Sequence, residues 1–311
     1  MLNLQPIFSD HALFLHSSPL TVRGTSDAKN TVNVYLIKDG KTVTSASSDV
    51  EENGVFEATF YTPVASYDTY EIKVEDGENE IVLKDILFGE LWLASGQSNM
   101  EMPNFTQNEC EEYLDGLAGK NLRFFWQGRN PGGHTGVYPY EPDFTMQGKW
   151  VVMSDRELLR RVSACATAFS NKIYDYFTSI DHEIPVGFVN SSVGGTRLEP
   201  WLPRFAFEED EALTEYLKKL NRYPTEESWN QQGEGNYQQT TCMFNQLIAP
   251  HIGARFRGML WYQGESNCGT EFENRIYAKL LKKLRESYRK LFSASENEVF
   301  PILSSMIYPW A

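Results

Sequence analysis

Up to about Lys84 polar positions alternate with apolar or β-branched ones, most clearly in Leu20–Arg23, Thr31–Lys38, Val55–Tyr61 and Tyr70–Val74. That period of two is the pattern of a strand with one face buried. Asp39-Gly40, Asn53-Gly54 and Asp76-Gly77 fall between these runs, and such pairs favour tight hairpin turns because they tolerate positive φ. Short strands at this spacing predict a small antiparallel β-sandwich over residues 1–85.

From Asp85 the pattern changes. Leu91–Ser95, Asn121–Trp126, Pro185–Asn190, Gly258–Gln263 and Phe300–Met306 are apolar runs separated by helical segments, which predicts a parallel sheet with crossover helices over residues 86–311. Phe169, Ile173, Tyr176 and Phe177 recur at helical spacing. So do Ile276, Leu280, Leu281, Leu284, Tyr288 and Leu291, and both stripes are expected to face the sheet. Two polar insertions, 104–115 and 205–235, are expected to shape a cleft rim. The fifth strand ends a few residues before Ala311, where a doubly wound unit ordinarily continues into a helix, so this α/β unit is expected to be incomplete at its C-terminus. Ile302, Leu303 and Ile307 would then be exposed, and would draw either a second copy of the chain or a bound C-terminal fragment.

Composition narrows the function. The chain is 41% hydrophobic and 14% aromatic, which suits a packed core, and its net charge of −14 repels phosphate backbones and anionic membranes. Neither nucleic acid nor membrane is therefore an expected partner. No run approaches the ~18 to 20 apolar residues of a membrane span, and residues 1–10 lack a basic start and an apolar stretch, so a soluble, cytoplasmic protein is expected. Cys110, Cys165, Cys242 and Cys268 stand far apart with no C-x-x-C pair. Reduced structural thiols are expected, without metal or cofactor.

Candidate chemistry lies at three strand ends. Leu91–Ser95 runs into Gly96-Gln97-Ser98-Asn99-Met100, where a serine on the turn after a strand can present its hydroxyl beside helix N–H groups. Ser98 reads equally as a helix cap. Met100 stands where a G-x-S-x-G elbow needs its second glycine, which disfavours the α/β-hydrolase fold. The second strand runs into Ser191-Ser192-Val193-Gly194-Gly195-Thr196, with Trp201 beyond. Paired glycines allow the close backbone approach that an oxyanion hole requires, though such a pair is also an ordinary turn. The third, Met259–Gln263, opens into Gly264-Glu265-Ser266-Asn267.

Together, Ser95–Met100, Gly194-Gly195-Thr196 with Trp201, and Trp261–Asn267 resemble the sialate O-acetylesterase family of SGNH hydrolases. The resemblance extends to Ile7–Asp10, Asp85–Glu90 and Phe244–Pro250, and so spans nearly the whole chain. It implies a flavodoxin-like α/β domain behind an N-terminal β domain, and a metal-free serine esterase that removes acetyl groups from sugar hydroxyls, its partner being an O-acetylated carbohydrate. Ser98 matches the nucleophile, and its N–H with that of Gly195 matches the oxyanion donors. Gln263 or Asn267 would supply a further donor, Gln263 being preferred at the strand end itself. Glu265, Gln97, Asn99 and Trp201 would support the site or touch substrate. The alternatives are a binding protein holding acetylated sugar in a cleft rimmed by Trp201 and Trp261, and a structural fragment completed by another chain.

The family's Asp-x-x-His pair, which gives the base and its orienter, has no counterpart here. The residues three before His11, His16, His134, His182 and His251 are Phe8, Leu13, Pro131, Ser179 and Ile248. All five histidines are expected at the surface, and this chain is expected to be weakly active or inert.

Overall fold

The structure, a computed structural model, describes residues 1–28, 30–127, 138–145, 147–231, 237–295 and 297–305. The strands are β1 (Leu2–Leu4), β2 (Leu13–Leu15), β3 (Pro19–Ser26), β4 (Thr31–Lys38), β5 (Lys41–Asp49), β6 (Val55–Tyr61), β7 (Ser66–Glu75), β8 (Glu80–Gly96), β9 (Leu122–Gln127), β10 (Gly148–Val152), β11 (Val186–Ser192), β12 (Met259–Tyr262) and β13 (Ile302–Ser304). The predicted runs Thr31–Lys38 and Val55–Tyr61 are β4 and β6 to the residue. Asp39 and Gly40 both take positive φ, 50° and 71°, which closes the β4–β5 hairpin with the twist a two-residue turn needs.

β1, β3 and β6 form a three-stranded antiparallel sheet. The remaining strands form one mixed sheet in the order β10-β9-β11-β8-β7-β4-β5, with β2 and β12 also on β8 and β13 on β12. This corrects the expectation of a separate N-terminal sandwich: the sheet passes through the anticipated boundary at residue 85. The cause is β8, 17 residues long. Its first half pairs antiparallel with β7, and its second half lies parallel between β11 and β12. Burial tracks the change of partner, with Ile86 to Gly96 buried without a break because helices and loops cover both faces there. Leu20, Val22, Phe56 and Phe60 of the three-stranded sheet share a core with Val34, Ile72 and Leu83 of the mixed one and with Leu91, Leu93 and Trp261.

The α/β half is of the flavodoxin-like kind, five parallel strands ordered β9-β11-β8-β12-β13 with β10 antiparallel at the edge. Helix Glu271–Phe292 lays Leu280, Leu284 and Tyr288 of its predicted stripe wholly into the core, together with Phe292, while Ile276, Leu281 and Leu291 pack half-buried against it. Helix Ala164–Ser179 turns differently. Ala166, Thr167 and Ser170 are its buried residues, Phe169, Ile173 and Phe177 pack half-buried, and Tyr176, 100° round from Phe177, is exposed. In β13, Leu303 is exposed and Ile302 half-buried; Met306 and Ile307 lie outside the described residues.

Candidate active site

The parallel register sets the three motif-bearing turns on one edge. Ser95 of β8 lies opposite Ser191 of β11 and Trp261 of β12, and Gly96 opposite Ser192 and Tyr262. All three chains therefore leave the sheet at its carboxyl edge, where open α/β sheets bind ligands. Gly96 takes φ 141°, and a Cβ there would sit 2.2 Å from the Tyr262 carbonyl oxygen, so only glycine lets β8 and β12 run this close.

The single helical turn Ser98–Glu101 follows. Its N-cap is Gln97, whose carbonyl accepts from Met100 and Glu101 N–H, so Ser98 is not the cap. Ser98 is exposed, and among the described residues its hydroxyl has no hydrogen-bond partner. Around it the three turns are laced together. Glu101 Oε2 accepts from Gly194 N–H at 2.7 Å, Asn99 Nδ2 donates to Glu265 Oε1 at 2.8 Å, and Ser266 Oγ donates to the Gly195 carbonyl at 3.0 Å. Gln97 Oε1 accepts from Ser266 N–H at 3.3 Å. A Cβ on Gly194 would lie 3.5 Å from that of Ser98, so the glycine keeps the space beside the serine open. Gly195 takes φ 75°, and neither its N–H nor that of Ser98 has a partner among the described residues.

Gln263 and Asn267 are placed otherwise than the resemblance implies. Gln263 is buried, its Nε2 donates to Thr196 O at 3.0 Å and to Asn267 Oδ1 at 2.8 Å, and its Oε1 accepts from Tyr277 OH at 3.0 Å. Both amide protons are thus committed inside the protein. Burial pushes the Tyr277 phenol up to about 12, which keeps it a donor. Asn267, also buried, accepts from Leu198 N–H and donates to Glu199 Oε2 at 3.0 Å. These two amides frame the second and third turns from beneath. Trp201 is wholly buried, donates Nε1 to Thr196 Oγ1 at 3.1 Å, and meets buried Trp261 edge-on at 6.1 Å. Neither indole rims a cleft, which removes the aromatic walls of the binding-protein alternative.

His11 pairs with Asp85 at 2.6 Å, His16 lies against Glu90 and Arg257, and His182 packs on Phe177. His251 is a correction: it is fully buried against Gln127, and burial drives its imidazole down to about 3. His134 lies outside the described residues. None of the four described histidines bonds to Ser98. The four cysteines are free, and among the described residues no group of His, Cys, Asp or Glu is placed to hold a metal. No helix is long and apolar enough to cross a membrane among those residues. Glu101 escaped the sequence reading, although its place three residues after Ser98, on the same helical face, was the available signal.

Residues 89–306 match the family described as "Carbohydrate esterase, sialic acid-specific acetylesterase". Mouse (Mus musculus) sialate O-acetylesterase is 24% identical over 310 residues, covering 92% of this chain and 56% of that protein. The human (Homo sapiens) sialate O-acetylesterase is 25% identical over 230 residues, 70% of this chain and 39% of that one. The chain thus spans about half the length of the mouse relative and less of the human one. A carbohydrate acetylesterase from Xanthomonas citri superposes with a TM-score of 0.73 at 21% identity, over 98% of this chain and 60% of that structure, so the fold is shared.

Proposed function

The chain belongs to the carbohydrate esterase family of sialic acid-specific acetylesterases, and on that premise we propose that its site removes O-acetyl groups from sugars through Ser98. The observation that carries the reading is an exposed serine hydroxyl beside two backbone N–H groups, none of the three with a partner among the described residues, on turns locked to one another. In this reading Ser98 Oγ attacks the acetyl carbonyl, and the N–H groups of Ser98 and Gly195 donate to the oxygen as it becomes negative. Collapse of that intermediate expels the sugar hydroxyl and leaves acetyl-Ser98, which water hydrolyses to acetate. Glu101 and Glu265 act as positioning residues, fixing Gly194 and Asn99 respectively.

Turnover is slow in this account, because no described histidine is bonded to Ser98 to take its proton. Losing triad members costs on the order of 10⁴ to 10⁶ in turnover and leaves roughly 10³-fold over water. The competing reading, in which the site holds acetylated sugar without cleaving it, makes the opposite prediction for the same assay. The test is hydrolysis of an aryl acetate by the purified chain beside its Ser98→Ala variant, with intact mass recorded. Feeble, Ser98-dependent hydrolysis supports the esterase, and sugar binding without any hydrolysis supports the second reading. Turnover equal in both proteins rules Ser98 out. Robust Ser98-dependent turnover at the mass of the 311-residue chain would show that a base exists within it.

A further inference from the structure

Beside Asn99, the residue next to Ser98, lies a cavity of about 640 Å³ whose walls come from Tyr262 at the end of β12, the segment 102–113 and the first turn of helix Ala164–Ser179. Its size suits a sugar ring with a substituent. Half-buried Tyr113 and Tyr262 and the Asn99 amide are the mix of apolar face and hydrogen-bonding groups that a pyranose offers in return. Asn104 is anchored from behind, donating to Leu159 O at 2.8 Å and Thr167 Oγ1 at 3.1 Å, so that wall is preformed.

Its ionisable lining is one-sided. Glu109 and Glu112 are exposed at the rim, and among the described residues neither has a cationic partner and no Lys or Arg lines the cavity. The neighbouring cations are spent elsewhere: Arg156 and Arg160 pair with Glu111, and Arg156 also with Asp115. Arg197, the basic residue following Gly194-Gly195-Thr196, is turned toward Glu273 at 3.9 Å.

We propose that this cavity is the sugar subsite of the Ser98 centre, and that Glu109 and Glu112 make it select an uncharged acetylated sugar over one bearing a carboxylate. The inference rests on the esterase reading for the acetyl group and goes beyond it in naming the sugar. A sialic acid carries a carboxylate, which in this cavity meets two like charges and no counter-charge, a repulsion that salt screens over about 10 Å at 0.1 M.

The test uses the 311-residue chain as Ser98→Ala, so that probes are not consumed. Methyl 6-O-acetyl-glucoside and 9-O-acetyl-N-acetylneuraminic acid are titrated by calorimetry in low and high salt, with alkylation of Cys165, an exposed thiol in the cavity wall, followed in parallel. The neutral sugar is expected to bind about tenfold tighter at low salt, to lose most of that margin at high salt, and to protect Cys165. Glu109→Gln with Glu112→Gln should close the gap to about threefold or less, and Ala168→Trp, filling the cavity from an exposed wall position, should abolish binding of the neutral sugar. Equal or tighter binding of the sialic acid overturns the proposal, as does a margin that neither salt nor the double variant moves, or a Cys165 that stays reactive with sugar bound. Failure of the esterase reading is seen separately, as acetate release that does not depend on Ser98.

Discussion

Gln263→Leu separates a framing role from a catalytic one. Leucine keeps the volume and removes both amide atoms. The Thr196 carbonyl then loses its Gln263 donor in a buried place, whereas Asn267 Oδ1 keeps Leu198 N–H and Tyr277 OH keeps the residue-263 carbonyl at 2.7 Å. One orphaned acceptor costs about 1 to 3 kcal/mol, and the two weakened contacts add about 1 kcal/mol between them. The sum, roughly 2 to 4 kcal/mol, corresponds to a fall in Tm of about 3 to 6 °C for a chain this long. Thermal unfolding followed by circular dichroism reads this directly, with aryl acetate hydrolysis measured on the same samples. A Tm within a degree of the parent, accompanied by lost hydrolysis, would refute the framing role and restore Gln263 as an oxyanion donor.

Three further outcomes are expected. His251 is neutral in the folded state down to about pH 3 but titrates near 6.5 when unfolded, so the unfolded chain binds the extra proton between those values. Stability should therefore fall with falling pH through that window, by up to about 1.4 kcal/mol per unit, and His251→Gln should flatten the slope in urea titrations. Gly96→Ala places a methyl 2.2 Å from a backbone carbonyl, and is expected to yield insoluble protein where Ser98→Ala expresses normally. Excising residues 1–85 cuts β8 between its two sets of partners, so fragment 86–311 should aggregate; a soluble monomer with native circular dichroism would count against the shared-strand architecture.

Local pattern carried the strands whose burial is itself periodic, β4 and β6 above all. β5 escaped because Lys41–Asp49 is mostly Ser, Thr and Lys, an exposed edge strand with no apolar face to reveal it. The unity of β8 was hidden for the opposite reason: alternation before Ile86 and unbroken apolarity after it look like two objects, and only the partners on either side show one. At the site, strand-to-turn transitions marked all three turns, because a catalytic edge must end its strands with small and polar residues. Which amide is free and which is committed is a tertiary matter. Gln263 and Asn99 look equally available in the sequence, yet one is spent on three partners inside the protein and the other lines a cavity. His251 likewise carries no local sign of its burial.

The length of β8 fixes more than where its two halves lie. Because side chains alternate faces along a strand, inserting or deleting one residue between Phe88 and Leu91 would leave one half in register and turn every side chain of the other half over. The slack that a linker would provide is missing, and Gly89, where a Cβ would meet the Pro185 carbonyl at 2.1 Å, leaves no room to absorb the step as a bulge. Sequence drift in this stretch is thus confined to substitutions. A chimera that joins the front of one such protein to the back of another must make its seam in a loop, for instance near Asp76-Gly77, and carry the whole strand from a single parent.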